Sequence, residues 1–219
     1  EMFRSIIAQM CFRHRHGDVW DVGQKEALEA AAYAQLQQFK RDFDERLLAN
    51  APATDEIIRT SGLDTYRRGD LDKLPQVKAK TVAALDKKMR AAGFELLGDL
   101  WTSELPFIVM RCYGNEAGNA YGIAYFGMDD KPPLDLYTRF TDGASLTTTT
   151  LEGIYSMRAQ KIFYRSSPAT APKGLLEDHQ TGIGKLAAPD RQPEPITPSL
   201  DAVAEAIAEF SARKIQGYM

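Results

Sequence analysis

The sequence is poor in several features that would assign a chain to a particular class of protein. Its two cysteines, Cys11 and Cys112, are about a hundred positions apart, and two cysteines are no disulfide framework of the kind found in small secreted domains. No stretch approaches the ~20 apolar residues of a membrane span. The formal net charge is only −3, so the chain as a whole lacks the electrostatic signature of a nucleic-acid-binding protein.

Catalytic and cofactor motifs are also scarce. The sequence contains no Gly-x-Ser-x-Gly segment, which excludes the usual nucleophile elbow of serine hydrolases. The glycine pairs at residues 118 and 122 and at residues 182 and 184 are too short and wrongly placed for a dinucleotide or phosphate loop. The sequence therefore predicts no cofactor, and the lack of a catalytic motif favours a protein that is not an enzyme.

The composition is that of a globular protein. Hydrophobic residues make up 44% of the 219 positions and charged residues 26%, which disfavours wholesale disorder and suffices for a core. Because the cysteines form no framework, a cytoplasmic location is favoured. The chain opens with Glu1 instead of Met, so a signal peptide or membrane anchor upstream of it stays an open alternative.

Helices are predicted where apolar residues recur with a helical period. Residues 24–50 form the longest predicted helix, with a stripe at intervals of three and four, and a second helix covers about 76–92 and ends at Gly93. A third begins near Ser199, after a Pro-rich segment, and carries an apolar stripe at Leu200, Val203, Ile207 and Phe210. Such a stripe has to be covered, so we expect this helix to dock on its own sheet or on a second copy of the chain.

Alternating residues between the second and third helices predict strands. Asp142-Gly143 separates the alternating segments 134–140 and 145–150, which indicates a hairpin with a two-residue primed turn, both residues having positive φ. Leu134, Leu136 and Phe140 should face the core. Since consecutive strands are closely spaced, we predict an α+β fold in which an antiparallel meander of about five strands is packed by an amphipathic helix. A long N-terminal helix, and a C-terminal helix after the Pro-rich connection, complete it.

These elements divide the chain into three regions, which we expect to form one structural unit. Residues 1–75 are a helical N-terminal region, in which 55–75 are interpreted as a short helix and a polar connection. Residues 76–186 are the helix and the antiparallel sheet, which form the core. Residues 187–219 are the Pro-rich connection and the C-terminal helix.

A binding surface is predicted from the aromatic residues of the strands. Counting with a period of two places five side chains on one face of the sheet: Tyr113, Tyr121, Tyr125, Tyr137 and Arg139. A Tyr- and Arg-rich face has the composition of a protein interface, although the same rings would equally serve to cover the core beneath a helix. The second helix, which carries Lys78, Lys80, Lys87, Lys88 and Arg90, is an alternative surface for an acidic partner or anionic lipid.

One segment has the residue types of catalysis. His14, His16 and Asp18 alternate near the N-terminus, and on a strand they would project together as candidate metal ligands. Two neighbouring arginines, Arg13 and Arg15, would repel a dication, so we predict no metal. Cys112 and His179 would have to meet in space to form a nucleophile and base, but Cys112 lies on the apolar side of a predicted strand, where thiols are usually inert.

The sequence thus favours a non-enzymatic protein-interaction or accessory module that binds a protein or a second copy of itself and not nucleic acid. Two alternatives stay open. One is a hydrolytic enzyme that uses the His14/His16/Asp18 segment, with or without a metal. The other is the soluble domain of a protein anchored to a membrane by a segment outside this sequence.

Overall fold

A computed structural model describes residues 33–34, 38, 48–60, 66–128, 131–151, 158–159 and 161–216. Contacts between Cα atoms divide the chain into two compact units, residues 1–50 and 51–219. In the first unit Tyr33, Ala34, Gln38, Leu48 and Ala49 are helical. The rest of the helix predicted over 24–50 lies outside the described residues, as does the His14/His16/Asp18 segment.

The second unit contains strands and helices whose bounds are as follows. The strands are β1 (Ala53–Ile58), β2 (Tyr66–Gly69), β3 (Glu95–Thr102), β4 (Val109–Asn115), β5 (Ala120–Phe126), β6 (Leu134–Arg139), β7 (Ser145–Thr149), β8 (Arg158–Ala159) and β9 (Ile162–Ser166). The α-helices are α1 (Ala79–Ala91), α2 (Pro172–Leu186) and α3 (Leu200–Gln216), and a short 3₁₀ turn covers Leu71–Lys73.

The sheet is larger than predicted and it is mixed. In the described part of the chain it has nine strands, in the order β1-β2-β3-β4-β5-β6-β7-β9-β8. Every neighbouring pair among them is antiparallel except β7 and β9, which are parallel. The prediction of an antiparallel meander of about five strands is therefore wrong. A parallel partner needs a crossover, and nothing in the local pattern of residues 150–166 indicates that β9 returns to pair with β7.

Two of the additional strands replace the short helix predicted within residues 55–75. β1 pairs with β2, and β2 pairs with β3. The sequence of β1 lacks the alternation that predicts a strand, because β1 is at the edge of the sheet and its residues 54–57 are all exposed. Two cross-strand ion pairs, Asp55 with Arg67 and Glu56 with Arg68, accompany this pairing, which a single segment of sequence does not reveal.

The hairpin across Asp142-Gly143 is present, but its turn differs from the predicted one. Phe140 donates its N–H to the carbonyl of Ala144, and Gly143 donates to the carbonyl of Phe140, so the loop has three residues. Gly143 has φ +79°, and Asp142 is not among the residues with positive φ. This geometry is a type I turn followed by a left-handed glycine. Leu134, Leu136 and Phe140 are buried, as predicted.

Helices cover the two faces of the sheet. On one face, which we call the α3 face, Leu100, Met110, Cys112, Ile123 and the C-terminal helix share a core, in which Val203 is fully buried; that core also includes Ile58, Tyr66 and Tyr121. The opposite face, the α1–α2 face, is covered by the two earlier helices. There Met89 of α1 reaches Gly122 and Gly182 of α2 approaches Leu146. The sheet is thus the middle of three layers.

Candidate functional site

The predicted tyrosine surface is divided between the two faces of the sheet. Tyr121 pairs with Tyr137, and Tyr125 and Arg139 are on the same α3 face, beneath the C-terminal helix. Tyr113 pairs with Gly122 and therefore lies on the α1–α2 face. Placing all five residues on one face was wrong. The four-residue loop between β4 and β5 makes odd-numbered residues of β4 pair with even-numbered residues of β5, so Tyr113 and Tyr121 point to opposite faces. Their part in binding a protein stays a prediction.

A small cleft remains at the edge of the α3 face. Tyr121 and Arg139 line it together with residues 194–197 and with one side of α3, and its volume is about 260 Å³. The Arg139 guanidinium lies 3.3 Å from a carboxylate oxygen of Glu194 and 3.3 Å from one of Glu209. The Tyr121 hydroxyl donates to the carbonyl of Thr197 at 2.9 Å. Tyr121 and Arg139, the two residues of the predicted binding surface that line this cleft, thus hold the segment before α3 in place.

His179 is a fully buried residue of α2, and its hydrogen bonds define its tautomer. Thr138 Oγ1 donates its one proton to the carbonyl of Asn119 at 2.7 Å, so it must accept at 2.9 Å from His179 Nε2. Nδ1 therefore accepts from Thr148 Oγ1 at 2.8 Å. Burial, and secondarily the charge of Arg165, lower the pKa of His179 to about 3. A neutral ring with two partners is a structural group.

Cys112 and His179 do not meet. Cys112 is buried on the α3 face, where its Sγ lies 3.5 Å from the carbonyl of Met110, whereas His179 contacts the α1–α2 face. Burial raises the pKa of the thiol well above its usual value, which opposes formation of a thiolate nucleophile. The sheet separates the two side chains, so they cannot act as a catalytic pair.

A network of ion pairs fastens α1 to the sheet. Arg111 Nε donates to Asp86 Oδ1 at 2.9 Å, and its Nη1 donates to Asp99 Oδ2 at 3.1 Å. The Tyr113 hydroxyl also donates to Asp86 Oδ1, at 2.8 Å. Burial raises the pKa of Asp99 to about 6, against the opposing effect of Arg111. The only acidic residue of α1, Asp86, is thereby turned towards the sheet.

The outer face of α1 consequently carries positive charge alone. Lys80, Lys87, Lys88 and Arg90 are exposed, and none of the four forms an ion pair with any residue in the described part of the chain. At 100° per residue, Lys80 and Lys87 lie at the centre of the exposed side, and Lys88 and Arg90 lie on its flanks. We call these four residues the basic face. It runs along a helix of 13 residues, about 20 Å long.

Exposed apolar residues lie beside the start of α1. Phe107 is 73% exposed, Met128 49% and Leu105 37%; we call these three residues the apolar tip. A Cβ on Gly127 would lie 2.1 Å from the Phe107 carbonyl oxygen and 3.5 Å from Nε2 of Gln76. Gln76 is three residues before the first residue of α1. The two loops of the tip therefore touch each other beside the N-terminus of α1. The sequence did not single out the tip, because exposure of an apolar side chain depends on contacts with residues far away in the chain.

Comparisons with known proteins give no relative. No family model, curated protein or solved structure matches the chain. Within the ranges that the structure covers, no group of three or more His, Cys, Asp and Glu residues is placed to hold a metal ion. None of the helices described is long and apolar enough to cross a membrane. The hydrolytic alternative depends on residues 14–18, which are outside the described residues, and it stays a prediction.

Proposed function

We propose that this protein is a non-enzymatic interaction module that binds an acidic protein partner through the basic face of α1 and the adjoining apolar tip. The observation that carries the proposal is the orientation of charge on α1. Its one acid, Asp86, is used internally by Arg111 and Tyr113, while the basic face has no counter-charge among the described residues. Elsewhere in the unit, Arg67, Arg68, Arg139 and Arg191 each have a carboxylate partner; the distances are 3.7, 2.7, 3.3 and 2.9 Å.

The apolar tip supplies large side chains that can be buried on binding, which charged contacts alone do not provide. Exposed ion pairs contribute only about 0.2–1 kcal/mol each, and charges at the edge of an interface mainly accelerate association. Affinity usually depends on a few large side chains that become buried, and Phe107 is the most exposed large apolar residue described. Together the two surfaces match an acidic, amphipathic segment that places apolar side chains on the tip and carboxylates along α1.

A binding experiment with two labelled peptides tests the proposal. One is a 16-residue peptide of Glu, and the other has the same length with Leu and Phe at helical spacing among Glu. We expect the second to bind more tightly, and both to bind more weakly as salt rises, because screening weakens the charge contacts. K80E/K87E should weaken both by roughly tenfold, since two attractive contacts become repulsive. Phe107→Ser should remove only the preference for the apolar peptide.

The matched control is K173E/K185E on α2. Both lysines are exposed, and the variant changes the net charge by the same amount on the same face of the sheet. Equal loss in this control would attribute binding to net charge and would contradict the proposed site. Binding to phosphatidylserine vesicles without binding to either peptide would assign the basic face to a membrane instead of a protein.

A further inference from the structure

The apolar tip and the basic face lie along one line, with the tip at the N-terminal end of α1. Gln76 precedes α1, and a Cβ on Gly127 would lie 3.5 Å from its Nε2. Met89 is near the other end of α1, and a Cβ on Gly122 would lie 2.7 Å from its Cε. α1 therefore runs antiparallel to β5, from the tip towards the start of that strand. A ligand that contacts both surfaces has to lie along α1.

Charge is unevenly distributed along this line. Within three positions of the tip residues in the sequence, acids outnumber bases, with Glu104, Asp129 and Asp130 against Lys131. On α1 the basic residues are concentrated at the opposite end. At 1.5 Å per residue, Lys80 lies about 2 Å from the start of the helix, whereas Lys87, Lys88 and Arg90 lie about 12–17 Å along it. The carboxylates of a bound segment are therefore attracted away from the tip, and its apolar end belongs on the tip.

The spacing on the outer side of α1 fits a second helix. Lys80 and Lys87 are two turns apart on the same side, about 10.5 Å along the axis, and positions i and i+7 of a helix offer two carboxylates at this spacing. A strand covers about 10.5 Å in three residues, but side chains three apart point to its opposite faces. Ala83 and Ala84, which lie between the two lysines, are exposed. Their small side chains let the axis of a second helix approach to about 8–10 Å.

The dipole of the bound helix decides its direction. Negative side chains are stabilised near the N-terminus of a helix and destabilised near its C-terminus. A segment whose acidic half is N-terminal therefore becomes helical at a smaller free-energy cost than the reverse arrangement. With its acidic half on Lys87, Lys88 and Arg90 and its C-terminal half on the tip, such a segment runs antiparallel to α1. The positive end of its dipole then lies beside the negative end of α1.

We propose that the acidic partner binds this surface as an amphipathic helix of about 16 residues, antiparallel to α1. Its N-terminal carboxylates contact Lys87, Lys88 and Arg90, and its C-terminal apolar side chains cover Phe107 and Met128. The inference rests on the proposed function, because it uses the same surface, and it adds the conformation and the direction of the partner.

Two capped peptides of identical composition test the direction on the full chain. The forward peptide has 16 residues, with Glu at helical spacing in its first ten positions and Leu and Phe in its last six, and the second peptide has the reversed sequence. We expect the forward peptide to bind about fivefold more tightly, because of the dipole. A nitroxide at its C-terminus should broaden the amide NMR signals of Phe107 and Met128. A nitroxide at its N-terminus should instead broaden those of Arg90 and Ala91.

Proline tests the conformation of the bound peptide. Pro at the centre of the forward peptide breaks a helix, whereas Pro at its first position is compatible with one. The central substitution should weaken binding by at least about tenfold, and the N-terminal one, which is the matched control, should change it by less than about twofold.

Charge reversal tests the contact itself. K87E/K88E should weaken binding of the forward peptide by roughly tenfold, since two attractive contacts become repulsive. A peptide with Lys in place of its first two Glu should recover most of the affinity for this variant. The same exchange at its last two Glu should recover less, because those positions lie nearer to Lys80.

The outcomes separate this inference from the proposed function. Binding of the forward peptide with its C-terminal label at Arg90, equal broadening at both ends of α1 by either label, or indifference to the central proline would each overturn the inference and leave the proposed function standing. If neither peptide binds, the proposed function fails, and this inference fails with it.

Discussion

Replacing His179 by Gln should change how the stability of the protein depends on pH. In the folded state, burial lowers the pKa of His179 from its ordinary value of 6.5 to about 3. A base whose pKa is depressed by folding contributes stability above its unfolded pKa and loses it as pH falls. The loss therefore begins near pH 6.5 and continues to about pH 3. When the pH is lowered from about 7.5 to about 4.5, only the part below pH 6.5, about two pH units, lies in this window. The free energy of unfolding should therefore fall by about 2.7 kcal/mol.

The comparison with His179→Gln isolates this effect from other titrating groups. Asp99 and Asp135 have pKa values raised by burial to about 6, so folding is favoured as they become protonated, and their contribution has the opposite sign. Both proteins contain these groups, so the contribution cancels in the difference. Gln retains an N–H for Thr138 but does not titrate. Only the parent should therefore lose an additional ~2–3 kcal/mol of its free energy of unfolding.

Urea unfolding followed by circular dichroism measures this difference at each pH. The free energy of unfolding of the parent minus that of His179→Gln should be constant above about pH 7 and should fall steadily below it. A difference that does not vary with pH would mean that the ring titrates alike in the folded and unfolded chains. Such a result would contradict the lowered pKa of His179 and the burial that causes it.

Three further predictions concern packing and are read from thermal or urea unfolding. Leu136→Asn should cost about 2–5 kcal/mol, because Leu136 is fully buried and the amide would lack partners; a cost under about 1 kcal/mol would contradict its place in the core. Gly127→Ala should cost at least about 1–3 kcal/mol, since its φ is +109° and a Cβ would meet the carbonyl of Phe107. Gly184→Ala, the matched control with open space around it, should instead stabilise α2 by about 0.5–1 kcal/mol; equal effects of the two would refute the distinction. Val203→Ala should cost about 1–3 kcal/mol because α3 docks on its own sheet, and an unchanged Tm would contradict that docking.

The signals that predicted elements correctly were local ones. The apolar period and Gly93 located α1, and the stripe from Leu200 to Phe210 located α3. Asp142-Gly143 located the hairpin between β6 and β7, although it did not determine the number of residues in its turn. Each of these signals depends on neighbours within a few positions in the sequence, where helix period and turn conformation are decided.

Candidate binding residues required more than local signals. Tyr113 and Tyr121 alternate correctly within their own strands, but they lie on opposite faces because a shift of one residue in pairing exchanges the two faces of a strand. The basic residues of α1 were visible in the sequence, whereas the inward orientation of Asp86 was not, since it depends on Arg111 from another strand. That pairing is what leaves the basic face without a counter-charge.

By itself, therefore, the sequence determined that this chain has amphipathic helices around a sheet with a hairpin at residue 142. Only the tertiary structure decided that the described residues form a sheet of nine strands, that β9 returns parallel to β7, and that helices cover both faces of the sheet. The tertiary structure also decided that Asp135 is buried. The physical reason is that strand pairing and burial are contacts between residues far apart in the chain. Their register is set by the whole core and not by the periodicity of any one segment.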